Sequence, residues 1–455
     1  MSDRVNSPAA RDIKFVLHPY TNLEKHKEAG PLIVDKASGV WVTDDAGNRY
    51  IEGMAGLWCT SLGFGEKRLI DAAMRQMNDL PYYHLFTHKS HNPAIDLAER
   101  LCDMAPGNMG KAFFANSGSE ANDTAIKIVW YYNNAIGRPE KKKIISRLKG
   151  YHGVTVAAAS LTGLPYNHQD FDLPIQNILH VDCPHYYRFG EEGESEEDFA
   201  SRMAASLEER ILAEGPDTVA AFIAEPIMGA GGVILPPKTY FEKVQAVLKK
   251  YDILMIADEV ICGFGRTGNM FGCETFDIQP DIVSVAKALS SAYLPISAVL
   301  ISDKIGDAVA ANSGKVGTFG HGYTYSGHPA AVAVAMETLD IYEERDILSH
   351  VRQVSPRLQS NLRAFKDHPL VGEVRGTGLI GAIELVADKQ TRENFDPSKA
   401  VAVQVVAEAQ KNGVILRAAP GDAIAFSPPL IITEEEIDMM TDRFGQALDT
   451  VAARL

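Results

Sequence analysis

Between about residues 110 and 302 the chain repeats one pattern, a short run of almost unbroken apolar residues followed by a longer amphipathic segment. The runs are 111–115 (KAFFA), 144–147 (IISR), 218–225 (TVAAFIAE), 253–258 (ILMIAD), 281–287 (DIVSVAK) and 296–302 (ISAVLIS). A strand that is apolar on both faces needs cover on both, and a parallel sheet between helices supplies it. The segment 239–252 places Phe241, Val244 and Val247/Leu248 at helical spacing, so it predicts a crossover helix between two such strands. The expected architecture is α/β with a mostly parallel sheet.

The flanks are patterned differently. Residues 39–52 (GVWVTDDAGNRYIE) predict a hairpin around an Asp-Asp-Ala-Gly-Asn turn. Beyond residue 330 a long helical stretch precedes short strand-like runs, and Thr433 with Glu436 forms a capping box for a last helix. The expected division is a large α/β domain over 61–329 and a smaller α+β domain made of 1–60 and 330–455. The acidic segment 190–198 (GEEGESEED) predicts a solvated loop.

Composition narrows the function classes. At 455 residues and 46% hydrophobic, the chain buries a large core, and 59 acidic against 44 basic side chains repel nucleic acid. Five scattered cysteines without a CxxC pair suggest neither a disulfide frame nor a zinc knuckle. No signal-like or membrane-spanning apolar stretch is visible, so the expectation is a cytoplasmic protein without a membrane partner.

Two strand ends carry the chemistry. ILMIAD ends in Asp258, and DIVSVAK ends in Lys287 twenty-nine residues later. Strand carboxyl ends in a doubly wound sheet open onto one crevice, so the two side chains are expected to face the same place. A lysine after so apolar a run loses proton affinity by desolvation, the condition for a Schiff-base amine. A buried carboxylate keeps a pyridine nitrogen protonated, which pyridoxal 5'-phosphate (PLP) needs to act as an electron sink. Taken singly, each has a plainer reading: a snorkelling lysine, a loop-anchoring aspartate. Ser117-Gly118-Ser119-Glu120, between a strand and a helical run, is a candidate phosphate seat, although Ser117 and Glu120 also spell an ordinary capping box. GFGRTG at 263–268 matches a dinucleotide fingerprint in letters only, since no amphipathic helix follows, and is expected to be a flexible loop over the crevice. No G-x-S-x-G elbow or HExxH pattern appears, so neither a hydrolase triad nor a metal is expected.

Several motifs together resemble class III aminotransferases of PLP fold type I, and among them the omega-transaminases: NSGSEAND (116–123), YHG (151–153), AEPIMGAGG (224–232), ADEVICGFGRTG (257–268), SVAKALSSAYLP (284–295) and HGYTYSGHPAA (321–331). The resemblance implies that Lys287 forms the imine and Asp258 partners the ring nitrogen. By the same likeness Gly118 and Ser119 belong to the phosphate cup, Tyr151 stacks on the ring, Val260 packs on its other face, and Glu225 stands behind. Tyr323 and Thr324 match positions that reach the phosphate of a neighbouring subunit, which implies a homodimer with shared sites, or a larger homo-oligomer. Arg417 matches the arginine that grips the acceptor carboxylate, and Leu57, Trp58 and Phe86 match the lining of an amine pocket. Ala288 and Ser297 depart from glycines common in relatives.

The implied activity is a ping-pong transfer of an amino group from a primary amine or omega-amino acid to a keto acid, pyruvate foremost. The alternatives are a transaminase of β-alanine or 4-aminobutyrate, in which Arg417 binds donor as well as acceptor, and a PLP-binding protein without turnover.

Overall fold

The computed structural model describes residues 6–455. Seven strands form the central sheet: β1 Met109–Ala115, β2 Lys143–Arg147, β3 Ile178–Val181, β4 Val219–Ala224, β5 Leu254–Asp258, β6 Ile282–Val285 and β7 Ser297–Ser302. Their order is β1-β7-β6-β5-β4-β2-β3. Neighbours from β6 to β3 are parallel, whereas β7 runs antiparallel to both β6 and β1. Alternate residues of the apolar runs feed two separate cores. Ile223, Ile256, Ile282 and Val299 join one, while Phe222, Met255, Val283 and Leu300 join the other. This period of two explains why the runs had to be apolar throughout.

Helices α1 Gly118–Ala135, α2 Glu196–Glu214 and α3 Tyr240–Lys250 supply cover. α1 lies along β6 and β7, and α3 packs on α2 and β5 with Phe241, Val244 and Leu248 buried. The hairpin Trp41–Asp44/Arg49–Glu52 forms as expected, with Arg49–Glu52 parallel to Val414–Ile415. A third sheet joins Val371–Thr377, Ile380–Leu385, Ala423–Phe426 and Arg417–Ala419. Thr433 caps the last helix, Glu434–Ala452, in a reciprocal box with Glu436. Among the described residues, strands from before 60 and after 330 pair with one another and not with the central sheet.

Three local expectations are corrected, and one strand went unread. β6 ends at Val285, and Lys287 instead opens a tight turn, Lys287–Ser290, before the antiparallel β7. β3 escaped notice because it is an edge strand of four residues, only its two ends buried. The acidic segment is not all loop: Ser195 caps α2, and Glu196, Glu197 and Asp198 form its first turn, where negative charge meets the positive end of the helix dipole. The 263–268 segment is not a flexible cover. Phe264 and Arg266 are buried, and Arg266 Nη1 donates to the carbonyls of Leu379 (2.9 Å) and Pro428 (2.6 Å), partners that lie far along the chain.

That buried loop leaves no room at Gly378, whose φ is +56° and whose added Cβ would stand 2.4 Å from the Arg266 carbonyl oxygen. Gly378→Ala is therefore expected to destabilise the protein by about 1–3 kcal/mol. Gly314→Ala, in the helix Asp303–Val316 with nothing within 4 Å, should stabilise it by about 0.5–1 kcal/mol. Thermal unfolding of the two variants beside the parent checks both signs.

Candidate active site

Three neighbouring parallel strands bring three ionisable side chains to one end of the sheet. β4 ends just before Glu225, β5 ends at Asp258, and β6 leads into the turn that carries Lys287. Asp258 pairs in register with Ser284 of β6, so the strand ends are level. All three side chains line one cavity of about 160 Å³, with Gly118, Ser119, Asn122, Tyr151, His152 and Val260 around them.

Lys287 adopts a left-handed conformation, φ +49°, which for a residue with a Cβ marks strain held by its surroundings. Among the described residues its amine has no hydrogen-bond partner. Burial pulls its pKa below the usual lysine range, against the opposing pull of the Asp258 carboxylate. An unpartnered amine of lowered proton affinity in a cavity is suited to act as a nucleophile.

Asp258 is buried and fully partnered. Its Oδ2 accepts from Asn122 Nδ2 (2.8 Å) and His152 Nδ1 (2.8 Å), and its Oδ1 accepts from Val260 N (3.1 Å). Asn122 Nδ2 also donates to the His152 backbone carbonyl (2.7 Å), so the Asn122 side chain ties the His152 backbone to Asp258. Glu225 is buried as well and accepts from Tyr151 N and Gly229 N, both at 2.9 Å, while burial raises its pKa. Burial likewise pushes the Tyr151 hydroxyl up.

The start of α1 borders the same cavity. Ser117 Oγ caps it by accepting from Glu120 N (3.2 Å), but Glu120 turns its carboxylate to Asn116 N (2.7 Å) and Asn116 Nδ2 (2.9 Å), so the expected box with Ser117 is only half formed. Gly118 is closely approached: a Cβ there would meet Val260 Cγ1 at 3.0 Å. Ser297 uses its hydroxyl, which glycine lacks, to donate to the Ser117 carbonyl (2.8 Å) and tie β7 to this cap. Helix-start amides suit a phosphate, Asp258 suits a protonated ring nitrogen, and the Lys287 amine suits an aldehyde. Asn122 Oδ1 and His152 Nε2 are buried without partners beside them. The donor set fits PLP.

Outward lies a second cavity of about 1000 Å³, walled by Tyr20, Leu57, Tyr166, Phe171 and Arg417 among others. Trp58, only 4% exposed, lies beneath: the Arg417 guanidinium stands 5.0 Å from its ring centroid, and no ion pair holds Arg417 among the described residues. Sequence reasoning missed Tyr20, whose ring packs edge-on against Tyr151 (6.4 Å) and Tyr166 (6.1 Å) and whose hydroxyl accepts from Asn167 Nδ2 (2.6 Å). It also missed Asn122 and His152, although both sit inside quoted motifs. Each follows the end of an apolar run, 111–115 for Asn122 and 144–147 for His152, and that position was the available signal.

Within one chain the structure does not bring Phe86, Tyr323 and Thr324 to Lys287. Phe86, 42% exposed, lines a separate recess with Phe113, His321 and Gly322. Tyr323 OH lies 3.3 Å from Thr124 Oγ1 and donates to the Glu120 carbonyl at 3.3 Å, and Tyr82 OH donates to the Thr324 carbonyl at 2.7 Å.

Comparisons agree with this geometry. The sequence model of Aminotransferase class-III matches residues 23–448. Gamma aminobutyrate transaminase 3, chloroplastic, of Solanum lycopersicum is 55% identical over 441 residues, 97% of this chain and 85% of its own length. The omega transaminase from Pseudomonas jessenii in complex with PMP superposes with a TM-score of 0.97 at 57% identity, covering 98% of each chain. A W58G variant of the thermostable omega transaminase PjTA-R6, engineered for asymmetric synthesis of enantiopure bulky amines, gives 0.96 at 57% over 98% of this chain and 99% of its own. The chain belongs to the class-III aminotransferases, PLP-dependent enzymes that move an amino group from an amine donor to a keto acid.

Proposed function

We propose that this chain is an omega-transaminase that takes the amino group of a primary amine or omega-amino acid and passes it to a keto acid, pyruvate foremost. The observation that carries the proposal is a depressed, unpartnered lysine facing a braced carboxylate at the foot of a crevice whose outer wall is aromatic and carries one unpaired arginine.

PLP bound here supplies a ring that takes up the electrons left on the donor carbon as its proton leaves. Lys287 would anchor the cofactor through Nζ, and its amine would carry the proton that leaves the donor carbon. Asp258 holds the ring nitrogen, steadied by Asn122 and His152. The amides of Gly118 and Ser119 would hold the phosphate, Tyr151 and Val260 would flank the ring, and Glu225 fixes the Tyr151 backbone. Arg417 meets the acceptor carboxylate with two parallel hydrogen bonds and rests on Trp58 when the substrate end is uncharged. Leu57 and Trp58 shape the amine pocket. Phe86, Tyr323 and Thr324, remote from Lys287 of their own chain, serve the site of a second copy in a homodimer. Domains 61–329 and 1–60 with 330–455 meet at the crevice. Five unpaired cysteines suit a reducing compartment such as the cytoplasm; no helix of the described residues is long and apolar enough to cross a membrane.

A second reading has its own support: the gamma aminobutyrate transaminases among the relatives favour 4-aminobutyrate as donor. In that case Arg417 binds both substrates.

Two outcomes are expected. Borohydride reduction of the PLP-loaded protein followed by peptide mapping should label Lys287, and Lys287→Ala should lower kcat by about 10²–10⁴. Labelling elsewhere would remove the assignment. Arg417→Ala should raise the KM for pyruvate roughly 10- to 150-fold, the worth of a hydrogen bond to a charged group. Its effect on the donor decides between readings: the KM of an arylalkylamine stays within a few-fold for the first, whereas that of 4-aminobutyrate rises in parallel for the second.

A further inference from the structure

Near the start of the chain, three side chains converge without belonging to the crevice. Asp12 lies in the helix Pro8–Phe15, His26 in the helix Leu23–Ala29 capped by Asn22, and His18 between them. Asp12 Oδ2 lies 2.8 Å from His18 Nε2 and 3.0 Å from His26 Nε2, and the imidazole centroids are 4.3 Å apart. Hydrogen bonds from His26 and His18 hold the Asp12 carboxyl below its usual range. All three remain partly open to solvent, at 21%, 27% and 12% for Asp12, His18 and His26.

We infer that Asp12, His18 and His26 form a binding site for a first-row divalent cation of the Zn²⁺ or Co²⁺ kind. Two imidazoles and one carboxylate on one side of a point make a tripod that suits such ions. Zinc–ligand distances of about 2.0–2.2 Å put tetrahedral ligand atoms about 3.3 Å apart, so the observed separations need to open by only a few tenths of an ångström. Among the described residues neither Nδ1 atom bonds to the protein, so each ring can carry its proton there and turn a bare Nε2 to the ion. The open sides of the cluster leave space for water ligands and entry. No motif announces this site, because its spacings of six and eight residues match no familiar pattern.

A second trio, His185, Glu373 and Glu384, has similar composition but a different electrostatic state. Arg375 Nη1 already bonds Glu384 Oε2 at 2.6 Å and Arg188 takes its other oxygen, so the anionic charge there is spent. No arginine or lysine pairs with Asp12 among the described residues.

The cation would close a loop that matters. Pro19, Tyr20, Thr21 and Asn22, between His18 and the helix that holds His26, wall the outer cavity. Binding therefore fixes the segment that carries Tyr20 against Tyr151 and Tyr166.

The test uses chelator-treated, PLP-loaded, full-length protein and the metal alone. Equilibrium dialysis with Zn²⁺, and visible absorption with Co²⁺, should show one equivalent per chain, lost in His26→Gln and in His18→Gln. Diethyl pyrocarbonate labelling of the unmodified protein, read by peptide mapping, should show His18 and His26 shielded together by Zn²⁺. This arm needs no variant to fold. No stoichiometric binding, binding retained in both variants, or labelling of the two histidines unchanged by Zn²⁺ would overturn the site.

Discussion

Burial of the Asp258 carboxylate is the constraint on which the site depends. An ionised carboxylate taken from water is tolerated only when donors replace the lost solvent. Asn122 comes from α1, His152 from the loop after β2, and the amide of Val260 from the turn beyond β5. Satisfying one anion thus pins three segments, and the first of them also sets the helix start where phosphate would sit. The same carboxylate raises the proton affinity of Lys287 that burial lowers, so the amine is poised by two opposing effects.

The crevice changes character with distance from the sheet. Its inner part is polar, close-packed and built on strand ends and a helix start, where backbone hydrogen bonding leaves little freedom. Its outer part is assembled from three stretches far apart in the chain: Tyr20 and Leu57 near the start, Tyr166 and Phe171 from the middle, and Arg417 and Ala418 near the end. The 55% identity to a gamma aminobutyrate transaminase and the 57% identity to an omega transaminase establish the reaction class without choosing between those donors.

Much of the inner site was legible as strand endings. ILMIAD and DIVSVAK, apolar runs each closing on a charged residue, led to the expectation that Asp258 and Lys287 face one crevice, and both line the same cavity. The error at Lys287, read as a strand end although it opens a left-handed turn, arose because a φ of +49° in a lysine is strain imposed by packing and has no local signature. GFGRTG misled for a related reason. Its glycines look mobile until Arg266 finds the carbonyls of Leu379 and Pro428, over a hundred residues away.

By itself the sequence determined the α/β class, the mostly parallel sheet, the family and the candidate pair Asp258 and Lys287, since each follows from local periodicity or contiguous motifs. Tertiary structure alone decided which groups brace Asp258, that Tyr20 reaches the crevice, that Arg417 lies over Trp58, and that Phe86, Tyr323 and Thr324 stand apart from Lys287 of the same chain. The physical reason is range. Periodicity and strand endings are written between neighbours in the chain, whereas hydrogen-bond partners and ring contacts are chosen by the packing of segments tens to hundreds of residues apart.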